Sequence, residues 1–96
     1  MLLKNKTAII TGCNRGIGNS ILKLFAKEGA DIIACIRNEN ELFLNSISCL
    51  EVEYGIKITP IYFDYENLNE VKNAIIKISN LKLKIDILVN NAGVAS

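Results

Sequence analysis

Four short apolar runs, separated by stretches whose apolar residues recur at helical spacing, organise the chain. The first run, Thr7 to Thr11, carries no charged position, as a strand covered on both faces should not. Ile17, Ile21, Leu24 and Phe25 then predict a helix from about Ile17 to Lys27, with Gly29 just past its end. A second run, Asp31 to Ile36, is continuous and apolar after its first residue. Phe43, Ile47, Leu50 and Tyr54 share one side of a helix expected from about Glu39 to Tyr54, and Gly55 stands where a left-handed residue ends a helix with little strain. The third run, Lys57 to Phe63, contains Pro60, which has no N–H to donate to a ladder, so this strand belongs at a sheet edge. Asn67 and Glu70 have the spacing of a capping box and open a helix with the stripe Leu68, Val71, Ile75 and Ile78, stopped at Asn80. The last run, Ile85 to Val89, leads into Asn90-Asn91-Ala92-Gly93.

Regular alternation of strand and helix predicts an α/β fold, a parallel sheet with helices on both faces. Right-handed crossovers in the spatial order 3-2-1-4 would set the carboxyl ends of the first and fourth strands on either side of the point where the order reverses. Open α/β sheets bind their ligands there.

Composition narrows the classes. Half of the 96 residues are hydrophobic, enough for one core, and neither a linker nor a repeat divides the chain. A net charge of +1 with interleaved signs gives nucleic acid no basic stripe to read. The apolar start is too short for a signal peptide and no run approaches the roughly 18 residues of a membrane span, so no membrane partner and a cytoplasmic location are expected. Cys13, Cys35 and Cys49 lack any C-x-x-C spacing, which suggests buried or half-buried free thiols rather than disulfides or a metal site. Without a histidine, the chain cannot assemble a Ser-His-Asp or Cys-His nucleophile.

The stretch Gly12-Cys13-Asn14-Arg15-Gly16-Ile17-Gly18 lies between the first strand and the first helix. A glycine loop there lets backbone N–H groups and the positive helix end approach a pyrophosphate that a Cβ would obstruct. Its spacing differs from G-x-G-x-x-G by one inserted residue, and no Gly-Lys-Ser/Thr follows, which excludes a kinase-type phosphate loop. Arg15 stands at the helix entrance, where a cation is unfavourable by about 0.3 to 1 kcal/mol unless an anion offsets it.

The glycine loop and Asn90-Asn91-Ala92-Gly93 together resemble the two N-terminal signatures of the short-chain dehydrogenases/reductases. The resemblance covers the whole chain but only the family's N-terminal portion, and implies a Rossmann-like fold. It implies that Gly12, Asn14, Gly16, Ile17 and Gly18 line the pyrophosphate and adenosine ribose, Ile17 and Gly18 mainly through backbone. Arg15 and Arg37 would contact the 2′-phosphate of NADP(H), because NAD-preferring members carry an acid where this chain has Ile36, and no competing acid is expected beside the arginines. Asp64 would meet the adenine amino group, its structural alternative being a helix cap or turn former. Asn90 would tie the central strands together, while Asn91, Ala92 and Gly93 pass close to the cofactor ribose.

The family's catalytic serine, tyrosine, lysine and second asparagine are not found. Four residues after Tyr54, Tyr62 and Tyr65 come Ile58, Glu66 and Asn69, so no Tyr-x-x-x-Lys occurs. In the family those residues follow the point where this chain stops. The resemblance therefore implies the cofactor-binding segment of a truncated NADP(H)-dependent ketone reductase, similar to 3-oxoacyl-acyl-carrier-protein reductases and inactive by itself. The alternative is a non-catalytic dinucleotide-binding module or remnant. Full-length relatives are usually homo-oligomers, and the fourth strand is expected to present an open apolar edge.

Overall fold

A computed structural model describes residues 1–91 of the chain. The strands are β1 (Thr7–Thr11), β2 (Asp31–Ile36), β3 (Ile58–Tyr62) and β4 (Ile87–Val89), and the helices α1 (Gly16–Lys27), α2 (Glu41–Tyr54) and α3 (Leu68–Asn80). All strand pairs are parallel, in the order β3-β2-β1-β4. Thr11 lies level with Cys35 on one side, and Ile10 with Val89 on the other. The predicted reversal point thus falls between the carboxyl ends of β1 and β4.

Each face of the sheet has its own core. Ala8 and Ile10 of β1 and Ile32, Ala34 and Ile36 of β2 point to the face covered by α1 and α2, where they meet Leu22, Ala26, Phe43 and Ile47. Ile33, Cys35 and Ile61 point the other way, against Ala74 of α3. The period-two alternation of strand side chains divides them in this way. β2 is sealed on both faces because helices cover both of its sides, whereas Ile9 of β1 is only half-buried toward α3 and Leu88 of β4 is 66% exposed.

The helix faces differ from the expected stripes in an instructive way. On α1 the innermost residues are Gly18, Leu22 and Ala26, with Ile21 and Phe25 flanking, while Ile17 and Leu24 are exposed. On α3 the innermost residue is Ala74, flanked by Val71 and Ile78, while Leu68 and Ile75 are exposed. Close approach of helix to sheet favours small residues on the contact line, and a stripe traced through the largest side chains misses that line. On α2 the expected Phe43, Ile47, Leu50 and Tyr54 do face the core.

Element ends follow from their caps. α2 begins at Glu41 rather than Glu39 because Asn40 adopts extended backbone and its Oδ1 accepts from the Phe43 N–H. Gly55 closes it at φ 64°, the left-handed conformation anticipated there. The capping box of α3 is half formed: Asn67 Oδ1 accepts from the Glu70 N–H, but the Glu70 carboxylate accepts from the Asp64 N–H instead of returning to Asn67. Pro60 sits on the edge strand, as a residue without an N–H requires. Cys13 and Cys35 are buried and Cys49 is exposed, so only two of the three thiols match the expected burial.

Candidate cofactor site

The loop leaving β1 is built by glycine conformation and by ties to its neighbours. Gly12 turns the chain at φ 61° while its N–H donates to the Cys35 carbonyl, extending the ladder one residue beyond the strand. Cys13 then points inward, its Sγ 3.8 Å from the same Cys35 carbonyl, and burial pushes its thiol up to about 12. A group so far from ionising is no nucleophile, and Cys35, raised to about 12 for the same reason, is none either. The Asn19 side chain donates to the Cys13 carbonyl at 3.1 Å, anchoring the loop to the first turn of α1. Asn14, Arg15, Gly16 and Ile17 form the exposed rim.

The two glycines at the start of α1 are required for different reasons. Gly16 stands at φ 60°, and among the described residues a Cβ there would meet nothing within 4 Å, so its open side faces away from them. Gly18 is buried, and a Cβ there would collide with the Gly12 carbonyl oxygen and lie 2.7 Å from Asn91 Nδ2. No side chain can occupy that space. Gly18 therefore serves the packing of α1 against the loop, and Gly16 leaves an uncovered backbone surface beside it.

Thr11, the polar residue that ends the apolar first strand, joins the two halves of the site. Its hydroxyl lies 3.2 Å from Asn90 Oδ1 and accepts from the Asn91 N–H at 2.9 Å. The Asn91 side chain in turn donates to the Gly12 carbonyl at 3.2 Å. The strand-tying role expected of Asn90 is thus shared with Asn91, whose amide secures the glycine loop. In the sequence Thr11 stands at the head of the glycine motif without a role of its own; the signal for one is a hydroxyl at the carboxyl end of a run otherwise fit for burial. Ala92 and Gly93 lie outside the described residues.

Electrostatics distinguishes the start of α1 from the other helix starts. Asn40 and Asn67 cap α2 and α3 through their side chains, whereas Arg15 at the N-cap of α1 makes no side-chain cap bond, and no acid lies in the first turn of α1. The positive end of that helix, with a cation beside it, is left for an anion. Arg37 follows β2 and is exposed, as expected, but an acid does reach it: Asp64, beyond the end of β3, places Oδ2 3.1 Å from Arg37 Nη2. Asp64 Oδ1 accepts from the Glu66 N–H, the turn-forming alternative foreseen for it. Ile36, at the end of β2, is buried and offers no carboxylate.

The residues gathered here fit a dinucleotide. A backbone surface that a Cβ at Gly16 would cover, an uncapped helix start and two exposed arginines lie at the carboxyl ends of β1 and β2. The opposite end of the sheet has a shallow depression lined by Thr7, Asp31, Lys57 and Leu83, among others, with neither glycine loop nor helix start beside it. Among the described residues, no cluster of metal-ligating side chains occurs and no helix is long and apolar enough to cross a membrane.

Comparison with known proteins agrees with this geometry. The family described as short chain dehydrogenase matches residues 6–96. Oxidoreductase UcpA of Salmonella typhimurium is 37% identical over 93 residues, which cover 96% of this chain and 34% of that protein. The 3-oxoacyl-[acyl-carrier-protein] reductase FabG of Thermotoga maritima is 36% identical over 95 residues, covering 98% and 37%. Among solved structures, L-sorbose reductase from Gluconobacter frateurii, complexed with NADPH and L-sorbose, superposes with a TM-score of 0.82 at 34% identity, covering 98% of this chain and 35% of that one. The chain spans about a third of the length of these relatives.

Proposed function

The chain belongs to the short-chain dehydrogenase family, and on that premise we propose that residues 1–96 are the N-terminal part of a single dinucleotide-binding domain that takes NADP(H) in preference to NAD(H). The observation that carries this reading is the uncapped start of α1 above the open side of Gly16, flanked by Arg15 and with Arg37 at the end of the neighbouring strand. The backbone of Gly12, Asn14, Gly16 and Ile17 would hold the pyrophosphate, with Gly18 allowing the helix to approach. Arg15 and Arg37 would receive the 2′-phosphate, Asp64 would border the adenine, and Asn91, Ala92 and Gly93 would pass beside the ribose. The NADPH complex of L-sorbose reductase supports the choice of cofactor.

When bound, the nicotinamide supplies a hydride, and the complete protein would use it to reduce a ketone to an alcohol. What these 96 residues contribute is binding and orientation, because they contain no Tyr-x-x-x-Lys to move the accompanying proton. That absence favours a second reading for the chain taken alone, a binding module without catalysis.

Titration of the purified chain with NADPH and with NADH tests the proposal. Arg37→Ala should weaken NADPH by about ten- to hundredfold, the equivalent of one charge-assisted bond, and leave NADH nearly unchanged. Equal losses for both would remove Arg37 from phosphate recognition, and binding of neither by the unaltered chain would end the proposal.

A further inference from the structure

The pairing of Arg37 with Asp64 was not foreseen in the sequence, and it alters what Arg37 can do. One guanidinium nitrogen, Nη2, is taken by Asp64 Oδ2 at 3.1 Å, while the Arg37 side chain stays 71% exposed and that of Asp64 only 24%. The residue is tied at both its side chain and its backbone: Oδ1 accepts from the Glu66 N–H, and the Asp64 backbone N–H donates to the Glu70 carboxylate at the start of α3. Asp64 is therefore a tethered negative charge, and Arg37 a largely exposed cation resting against it.

We infer that Asp64 is a specificity-determining residue that opposes the 2′-phosphate, so that this site discriminates between NADPH and NADH less than its two arginines imply. The inference rests on the proposed cofactor site. A guanidinium has five donors, and a bond from one nitrogen leaves the others open, so Arg37 can meet a phosphate without leaving Asp64. A phosphate received there then lies one guanidinium's width from a carboxylate that cannot withdraw. Repulsion between them offsets part of the attraction to Arg37. NADH brings no charge to this point and feels no such penalty. The net effect is a lower ratio of affinities, with the binding of both dinucleotides retained.

The test is the ratio of NADPH to NADH affinity, measured by titration of the full chain and of Asp64→Asn. The asparagine keeps an oxygen for the Glu66 N–H and removes the charge. The ratio should rise about two- to fivefold, the span of a partly exposed charge pair, and the gain should shrink as salt is raised toward 1 M. A contact between Asp64 and the adenine would alter both affinities together and cancel in the ratio. An unchanged ratio overturns the inference. A lower ratio also overturns it, since Asp64 would then be orienting Arg37 toward the phosphate. Asp64→Ser repeats the measurement should the asparagine variant not fold, which circular dichroism reports. Failure of the underlying cofactor reading is distinguishable, because the unaltered chain would then bind neither dinucleotide.

Discussion

At the scale of single residues, the glycines of the first loop separate packing from ligand recognition. Gly18 faces a backbone carbonyl at a distance no Cβ tolerates, so Gly18→Ala must push α1 away from the loop and from Asn91. The expected cost is roughly 3 kcal/mol, the upper part of the range for overpacking, and a thermal melt should read it directly. Gly16→Ala meets no neighbour among the described residues and suffers only its left-handed backbone, roughly 1 kcal/mol. That variant should stay folded and lose dinucleotide affinity, because the added methyl occupies the open surface. A Gly18→Ala melt equal to the unaltered chain would mean that the close approach is not needed. Both glycines were legible as a motif; which one the protein needs for itself was not, since the collision partners Gly12 and Asn91 come together only through β1 and β4.

At the scale of elements, the attachment of β4 to β1 carries a pH dependence. Asp86 Oδ2 accepts from the Thr7 N–H at 3.0 Å, and the Asp86 N–H donates to the Thr7 carbonyl, so one residue clamps the start of both strands. The bond from Thr7 is the main cause holding the Asp86 carboxyl below its ordinary value, with Lys84 and Lys6 adding to it. A carboxylate whose folded pKa is depressed stabilises the fold above its unfolded pKa and loses that contribution as pH falls through the folded value. Protection of the Thr7 N–H from hydrogen exchange, taken relative to its intrinsic rate at each pH, should therefore fall on acidification below the ordinary carboxylate range. In Asp86→Asn that acid-dependent step should vanish; its persistence would assign the effect to another group. Strand identity is readable from apolar runs, whereas this clamp is not, because Asp86 sits inside the run Ile85 to Val89 and looks there like an interruption.

At the scale of the whole molecule, one sheet face is only partly covered. α3 lies over β2 and β3 through Ala74, leaving Leu88 on β4 and Ile75, Ile76 and Leu68 on α3 in contact with solvent. Exposed apolar side chains and an open strand edge each favour association. Sedimentation velocity on the 96-residue chain should accordingly show a weight-average mass that rises with concentration. A sharp monomer boundary over a hundredfold range would contradict this expectation. Full-length relatives have further chain beyond the matched region, as their lengths imply, and this face is where such chain would have apolar surface to meet.

Local chemistry was sufficient for the order of elements, the parallel α/β architecture, the edge position of β3 and the family. The first three follow from hydrophobic period and a proline without an N–H, which act between near neighbours, and the family from the resemblance of the glycine loop and Asn90-Asn91-Ala92-Gly93 to its two signatures. Three-dimensional packing alone decided which residues of α1 and α3 touch the sheet, that Thr11 bridges the two motifs, and that Arg37 has Asp64 beside it. Those outcomes depend on distances between strands far apart in sequence, where a small residue or a charge acquires its meaning only from what the fold brings against it.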